Sequence, residues 1–353
     1  MVEASNAVGT WPEVAAHMGK DPRLVPYGDT NLGMPIDLVD GLTVPNELFY
    51  VRSNGPTPRI DPAAWRLTVT GLVAVPLELT LADLMDLPYH SLTAFMECCG
   101  NGRSRFQPTT DGTPWANDAV GNAAWTGTPL ATVLELAGVQ DGAVDVVAQG
   151  ADFPGMRRGL PLHVARDPNT LLAWEMNEGD LPVANGGPVR LIVPRWGGIA
   201  STKWLVNLEV TDHAFAGPYH TESYVFFTDR GEPIAPIREM PVKSVIATPT
   251  DAATLPAGAH LIAGYAWSGY GRITRVDVSA DGGATWTEAA ITHEAGPLSW
   301  VRWEHPWSAL PGDARLRARA TDERGLTQPE TAPWNAKGYL MNAIHDITVK
   351  VKG

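Results

Sequence analysis

Phe95-Met96-Glu97-Cys98-Cys99-Gly100-Asn101-Gly102-Arg103-Ser104-Arg105-Phe106 holds the only two cysteines of a 353-residue chain. The apolar run that leads into them, Leu92 to Met96, reads as a buried strand. Gly100-Asn101-Gly102 then marks a tight reversal, because glycine and asparagine tolerate the positive φ that such a turn needs. Arg103 and Arg105 follow at once. A thiol at a strand end, amides in a turn and guanidinium groups beyond it suit a bound metal and an anion together.

The adjacency of Cys98 and Cys99 narrows the chemistry. Neighbouring side chains on a strand point to opposite faces, so the two thiols do not readily share one metal. The lack of a second cysteine cluster argues against a structural zinc or iron–sulfur site. A vicinal disulfide would be strained. On these residues taken alone, two small buried hydrophobes are the plain alternative.

The length suffices for one large core or two of ordinary size. With 44% hydrophobic and 18% charged residues the composition is that of a folded globular protein. A net charge of -13 argues against nucleic acid or an anionic membrane as partner. No apolar run approaches the ~20 residues of a transmembrane helix. Met1 to Lys20 shows no basic segment followed by an apolar core. The expected compartment is the cytoplasm as the chain stands, or the periplasm if an export signal has been removed.

Glu97-Cys98-Cys99-Gly100-Asn101-Gly102-Arg103 resembles the cysteine loop of the sulfite oxidase family of molybdenum enzymes, whose pattern is Cys, small residue, Gly, Asn, any residue, Arg. The resemblance implies that the Cys98 thiolate is the molybdenum ligand and that Cys99 fills the small-residue position. A soft thiolate is a suitable ligand for such a metal beside the dithiolene sulfurs of a molybdopterin.

Other segments extend the resemblance in the family's order. Residues 1–43 read as an irregular N-terminal arm with one short amphipathic stretch between Trp11 and Met18. Thr43 to Pro56 resembles the family's entry into its cofactor domain, an aromatic-rich strand ending in an arginine, here Arg52, that reaches the substrate pocket. Tyr50, Ser53 and Asn54 fall there among the implied cofactor contacts, with Ser53-Asn54 standing where the family has Asn-His. Trp115 takes the place of a pocket-lining tryptophan. Asp152, beyond a strand over Val144 to Ala148, matches a residue that reaches the cofactor. Arg190 and Lys203 fall on pterin and phosphate contacts, and amides around Gly198, Ala200, Ser201 and Thr202 suit the same anion. Asn185 stands where the family commonly has a His. Tyr224 matches an active-site tyrosine.

Local patterning adds the scaffold. Trp65 to Leu72 reads as a strand, and Thr80 to Met85 as a short helix with a Thr80/Asp83 capping box. A second helix has Thr128 as its expected cap, Pro129 in its first turn, Leu130, Val133, Leu134 and Ala137 on one face, and Gly138 as its stop. Leu171 to Met176 and Pro188 to Pro194 read as buried strands. From residue 236 onward short strands alternate with Gly and Pro. They include Ile273 to Ser279 and Ala284 to Glu288 joined by an Asp281-Gly282-Gly283 turn, the alternating Leu316 to Ala320, and Ile347 to Val351. About seven such strands predict an immunoglobulin-like sandwich.

The expected fold class is therefore α+β. A mixed α/β molybdopterin-binding domain of the sulfite oxidase type over 44–235 is followed by an all-β, immunoglobulin-like dimerisation domain over 236–353. The resemblance implies oxidation of sulfite to sulfate by oxygen-atom transfer at a molybdenum cofactor. Arg52 and Arg103 would hold the oxyanion, Trp115 would wall the pocket and Tyr224 would donate a hydrogen bond. No haem is expected, because no Cys-x-x-Cys-His motif occurs and little sequence precedes the cofactor domain. Electrons would pass to a separate acceptor such as cytochrome c, and the chain would form a homodimer. The family also has an arginine near its C-terminus. The matching neighbourhood here, Trp334 to Gly338 and Asn342 to Asp346, contains none. Two other readings stay open: a relative that oxidises carrier-bound sulfane sulfur, and a non-catalytic partner subunit.

Overall fold

The cysteine-bearing strand spans His90–Glu97 and stops one residue short of Cys98. Its first half is partly exposed and its last four residues are buried on both faces. The cause is a second body packed against it: Phe95 N donates to Leu298 O at 3.0 Å, and Phe95 lies 6.4 Å from the Trp267 ring. The computed structural model describes residues 15–16, 18–228 and 231–353. Most of the amphipathic stretch expected between Trp11 and Met18 lies outside them.

Two five-stranded sheets, beside the small pair Val25–Pro26 and Leu32–Gly33, build the first part of the chain among the described residues. One runs in the order Gly179–Asp180, Leu171–Met176, Val120–Pro129, His90–Glu97, and Arg190–Ile192 also pairs with 171–176. The other runs Leu77–Thr80, Arg66–Gly71, Leu205–Thr211, Asp145–Gly150, Arg157–Pro161. It is antiparallel except where 205–211 pairs parallel with 66–71. The helix Leu130–Ala137 buries Leu130, Val133, Leu134 and Ala137, the face its spacing predicts, in the core shared with this second sheet. Gly138 closes the helix at φ 65°, a conformation that favours glycine.

The cap at the other end differs from expectation. Thr128 belongs to the preceding strand, and its buried hydroxyl donates to Leu84 O at 3.1 Å; Pro129 starts the helix without a side-chain cap. The strand runs directly into the helix, so Thr128 is still extended and turned inward. The Thr80–Asp83 capping box forms as predicted on the helix Leu81–Met85. Helices are few and short among the described residues, so this half is mostly sheet rather than an even α/β mixture.

The C-terminal part is two further sheets, Lys243–Thr248, Gly258–Trp267, Val301–Ala309, Ala290–Glu294 and Thr254–Pro256, His345–Lys352, Gly312–Asp322, Ile273–Ser279, Thr287–Glu288. Leu316, Ala318 and Ala320 point inward with Val276, Val278, Ile347 and Val349, and meet Ile246, Ile262 and Trp303 in one core. Period-2 alternation thus places the arginines of 312–322 on the outer face. The predicted hairpin at Asp281 is present, but its loop is longer and the strand expected from Ala284 is only Thr287–Glu288. Asp281 accepts from Thr285 N at 2.9 Å and from its hydroxyl at 2.6 Å, which holds 281–285 in a closed loop instead of a strand. No described helix is long and apolar enough to cross a membrane.

Candidate active site

A parallel bridge between Glu97 and Gly197 brings the cysteine loop beside the loop 197–203. Cys98 N donates to Ala119 O at 2.9 Å and Asn101 N closes the turn onto Cys98 O at 2.8 Å. Between the two loops and residues 49–54 opens a cleft.

The two cysteines diverge there, as their adjacency predicts. Cys98 lines the cleft. Cys99 packs against Gly197 so closely that a Cβ on Gly197 would stand 2.3 Å from the sulfur, and burial pushes its thiol pKa up. Among the described residues no group of three His, Cys, Asp or Glu side chains could hold a metal. Any metal in this cleft would take one protein thiolate and rely on other ligands.

The cleft wall is cationic and desolvated. Arg190 donates to Asn185 O at 2.5 Å, Ser201 O at 2.8 Å and the Met96 sulfur at 3.2 Å, while its Nε has no partner. Burial lowers its pKa to about 10. Lys203 Nζ donates to the Ser53 hydroxyl at 2.6 Å and Ala184 O at 3.1 Å, over the Trp204 ring at 4.0 Å. Its pKa is held well below the usual lysine value by burial, and Arg190 adds to the effect. Neither cation forms an ion pair with a carboxylate of the described residues. Thr202 Oγ1 and Asp152 Oδ1, also on the wall, are buried without partners, and burial raises the Asp152 pKa. Uncompensated buried cations beside orphaned polar atoms mark a site built for an anionic, hydrogen-bonding occupant.

Tyr50, Ser53, Asn54, Asn185, Gly198 and Ser201 line the same cleft. Ala200 does not: it packs into the core of the second sheet. The amides of Ala200, Ser201 and Thr202 are also already bonded, to Gly197 O, Gly198 O and Ala200 O, so they do not present a free anion nest. The 3-10 turn Gly198–Ala200 uses up these donors.

Arg52 and Tyr224 close the other side. Arg52 Nη2 donates to Asn54 Oδ1 at 2.6 Å and to the Tyr224 hydroxyl at 3.3 Å. Tyr224 is held at φ 56° and stacks on Tyr339 at 5.3 Å, with its amide donating to the Tyr339 hydroxyl at 3.2 Å. The two other expected pocket residues lie off the cleft. Arg103 donates to Lys337 O at 2.9 Å and Thr113 O at 2.7 Å, with its guanidinium 5.5 Å from the Tyr339 ring. Trp115 is fully buried against Tyr27, ring centroids 4.7 Å apart.

Sequence reasoning missed Met96, Met156 and Trp204 on the wall, and Tyr339 behind Tyr224. Apolar and aromatic residues carry no local signal that separates a cleft wall from a core. Tyr339 reaches the site because Leu340 N donates to Cys99 O at 2.8 Å, which ties the C-terminal segment to the cysteine loop.

Comparison with known proteins follows the same outline. Residues 54–219 match the oxidoreductase molybdopterin binding domain, and residues 235–352 match the Mo-co oxidoreductase dimerisation domain. Mitochondrial sulfite oxidase of Mus musculus is 36% identical over 342 residues, which cover 89% of this chain but 62% of that protein. The chain thus spans less than two thirds of the length of that relative. Sulfite oxidase of Arabidopsis thaliana is 31% identical over 353 residues, covering 89% of this chain and 90% of the plant protein. The sulfane dehydrogenase SoxCD of Paracoccus pantotrophus is similar in structure, with a TM-score of 0.87 and 30% identity over 99% of this chain and 93% of that chain.

Proposed function

This chain belongs to the sulfite oxidase family of molybdopterin oxidoreductases, whose cofactor is molybdenum on a pterin, and from that premise we propose that it oxidises sulfite to sulfate and passes the electrons to a separate acceptor such as cytochrome c. The observation that carries the reading is one cleft lined by Cys98, by the unpaired cations Arg190 and Lys203, and by Arg52 with Tyr224. The residues fit the cofactor. Cys98 would bind the metal, and Arg190, Lys203 and the free Thr202 hydroxyl would hold its anionic pterin side. Bound there, the cofactor supplies two-electron oxygen-atom transfer.

The protein's own part is to bind and orient. Arg52 would fix a small oxyanion by charge-assisted hydrogen bonds, and the Tyr224 hydroxyl, already within reach of the guanidinium, would set the substrate's angle. Residues 44–235 would form the catalytic domain. The two-sheet domain from 236 would be an immunoglobulin-like sandwich, and its match to a dimerisation domain supports a homodimer. The test is molybdenum and pterin content of the purified chain together with sulfite-dependent reduction of cytochrome c. A chain that loads molybdenum yet ignores sulfite at millimolar concentration would remove sulfite as the substrate.

A second reading has one observation in its favour. Arg52 lines the cleft beside Tyr224 and Arg103 lies off it, so Arg52 is the guanidinium that would meet a substrate from this side. One cation suits a reacting group of lower charge, such as sulfane sulfur on a carrier. Faster turnover of a peptide-bound persulfide than of sulfite would select this reading.

A further inference from the structure

Behind the cleft wall lies a lysine that the reading above does not use. Lys20 is 4% exposed, and its Nζ donates to Asn46 O at 2.6 Å, Phe49 O at 3.1 Å and Asn185 Oδ1 at 2.5 Å. Its three protons are thereby taken, all by neutral acceptors. Among the described residues no carboxylate touches it; Glu47 is the acidic group it feels at longer range. A buried ammonium without a counter-ion is costly, and a neutral donor could have pinned the arm here without that cost.

The contact with Asn185 gives the charge a direction. Asn185 lines the cleft, and its side-chain amide is held at both ends: Oδ1 by Lys20 and Nδ2 on Tyr50 O at 3.3 Å. Its backbone carbonyl takes Arg190 Nη1 at 2.5 Å. Lys20 is thus joined through one residue to Arg190, and its charge is felt at Lys203. Arg52, Arg190 and Lys203 line a cleft on whose wall Asp152 is the single carboxylate among the described residues, and Lys20 stands one residue behind them.

We propose that Lys20 is a further part of the cofactor-binding apparatus, a positioning residue that fixes Asn185 in the wall and adds charge behind Arg190 and Lys203, so that the N-terminal arm helps retain the anionic side of the bound pterin. The proposal rests on the cofactor reading above. A merely structural pin predicts loss of fold stability when Lys20 is replaced, with no change in cofactor retention. A charge placed for an anion predicts the reverse, because in the empty protein its burial is unfavourable.

The experiment uses the full chain in its loaded and cofactor-free forms, with wild type, Lys20→Met, Asn185→Ala and the double variant. Molybdenum and pterin lost on prolonged dialysis are measured for the loaded forms, and thermal unfolding for the cofactor-free forms. Lys20→Met should release cofactor about tenfold faster, while its cofactor-free form melts at or above wild type. The double variant should exceed Asn185→Ala by less than Lys20→Met exceeds wild type, since Lys20 acts partly through that residue and partly by its charge. Release at the wild-type rate overturns the proposal. So does faster release that only accompanies a lowered cofactor-free melting temperature, or a double variant whose losses multiply. Wild type that holds no molybdenum defeats the family reading itself, an outcome separate from normal wild-type loading with an indifferent Lys20.

Discussion

Glu97 and Lys243 form a buried ion pair, Oε1 to Nζ at 3.2 Å, across the junction between the cysteine loop and the C-terminal sheets. The carboxylate also accepts from Asn101 Nδ2 at 2.8 Å and Trp267 Nε1 at 2.7 Å, and Lys243 reaches Asn101 O at 3.1 Å. Each charge thus has a hydrogen-bond partner beyond the pair itself, the condition under which such a pair is tolerated. The residue before the proposed metal ligand is therefore fastened to the second domain, and the cysteine loop depends on that domain for its shape.

Lys243→Met leaves Glu97 buried with its charge uncompensated. Truncating one member of such a pair costs about 3–5 kcal/mol. Chemical unfolding should show that loss, and Lys243→Met/Glu97→Gln should recover part of it. A double variant whose loss equals the sum of the losses of Lys243→Met and Glu97→Gln would mean that the pair is not coupled.

Arg52 and Arg103 should separate in kinetics. Arg52→Met removes the guanidinium that faces the cleft, and losing a charge-assisted contact of ~3–4 kcal/mol lowers kcat/KM by roughly two to three orders of magnitude. Its unfolding midpoint should fall only modestly, through the bonds it makes to Ser53 O, Asn54 and Tyr224. Arg103→Met instead removes two part-buried hydrogen bonds, to the carbonyls of Thr113 and Lys337, at about 1 kcal/mol each, and with them the packing of a buried guanidinium on Tyr339. A thermal scan of both variants beside steady-state rates checks this. A stable Arg103→Met protein with lost activity would return Arg103 to the pocket.

What the sequence made legible was what periodicity and short-range chemistry control. The 130–137 helix face, the capping box at Thr80 and the inward alternation of 316–320 all depend on neighbours a few residues away, and all appear as read. The gathering of Arg52, Asp152, Arg190, Lys203 and Tyr224 around Cys98 was readable only through the family resemblance, since no spacing encodes a convergence of five segments. The failures have a common cause. Arg103, Trp115 and Thr128 each stand in the expected stretch, but they have partners from distant segments, Lys337, Tyr27 and Leu84. Lys20 was hidden for the same reason, because its role depends on Asn185, 165 residues away.

Cys98→Ser and Cys99→Ala should differ in kind. Serine offers a hard, weakly acidic hydroxyl where a soft thiolate is needed, so the thiolate–metal absorption should vanish and turnover with it. Cys99→Ala removes only the sulfur packed on Gly197, a loss of ~1 kcal/mol in unfolding free energy, with the absorption band retained. Visible spectra of the two variants decide it. Similar mild effects from both would mean that neither thiol binds metal.

The cofactor-free chain should gain stability as pH rises above neutrality, and Lys20 supplies one proton of that dependence. Burial lowers its pKa from 10.5 to about 7 in the folded chain. Between those values the unfolded chain holds a proton that the folded chain does not, so the free energy of unfolding climbs by ~1.4 kcal/mol per pH unit. The sign follows from which state binds more protons: the full penalty of burying the ammonium stands below pH 7 and fades as pH approaches 10.5. From pH 7 to pH 9 wild type should therefore gain about 2–3 kcal/mol on Lys20→Met. Other groups titrating in this window are common to both proteins and drop out of the difference. Urea unfolding midpoints of the two cofactor-free proteins at pH 7, 8 and 9 measure it directly. A difference that stays constant across the three pH values would mean that Lys20 keeps its proton in the folded chain, and hence that the anionic environment the cleft lacks without its cofactor is supplied by the protein itself.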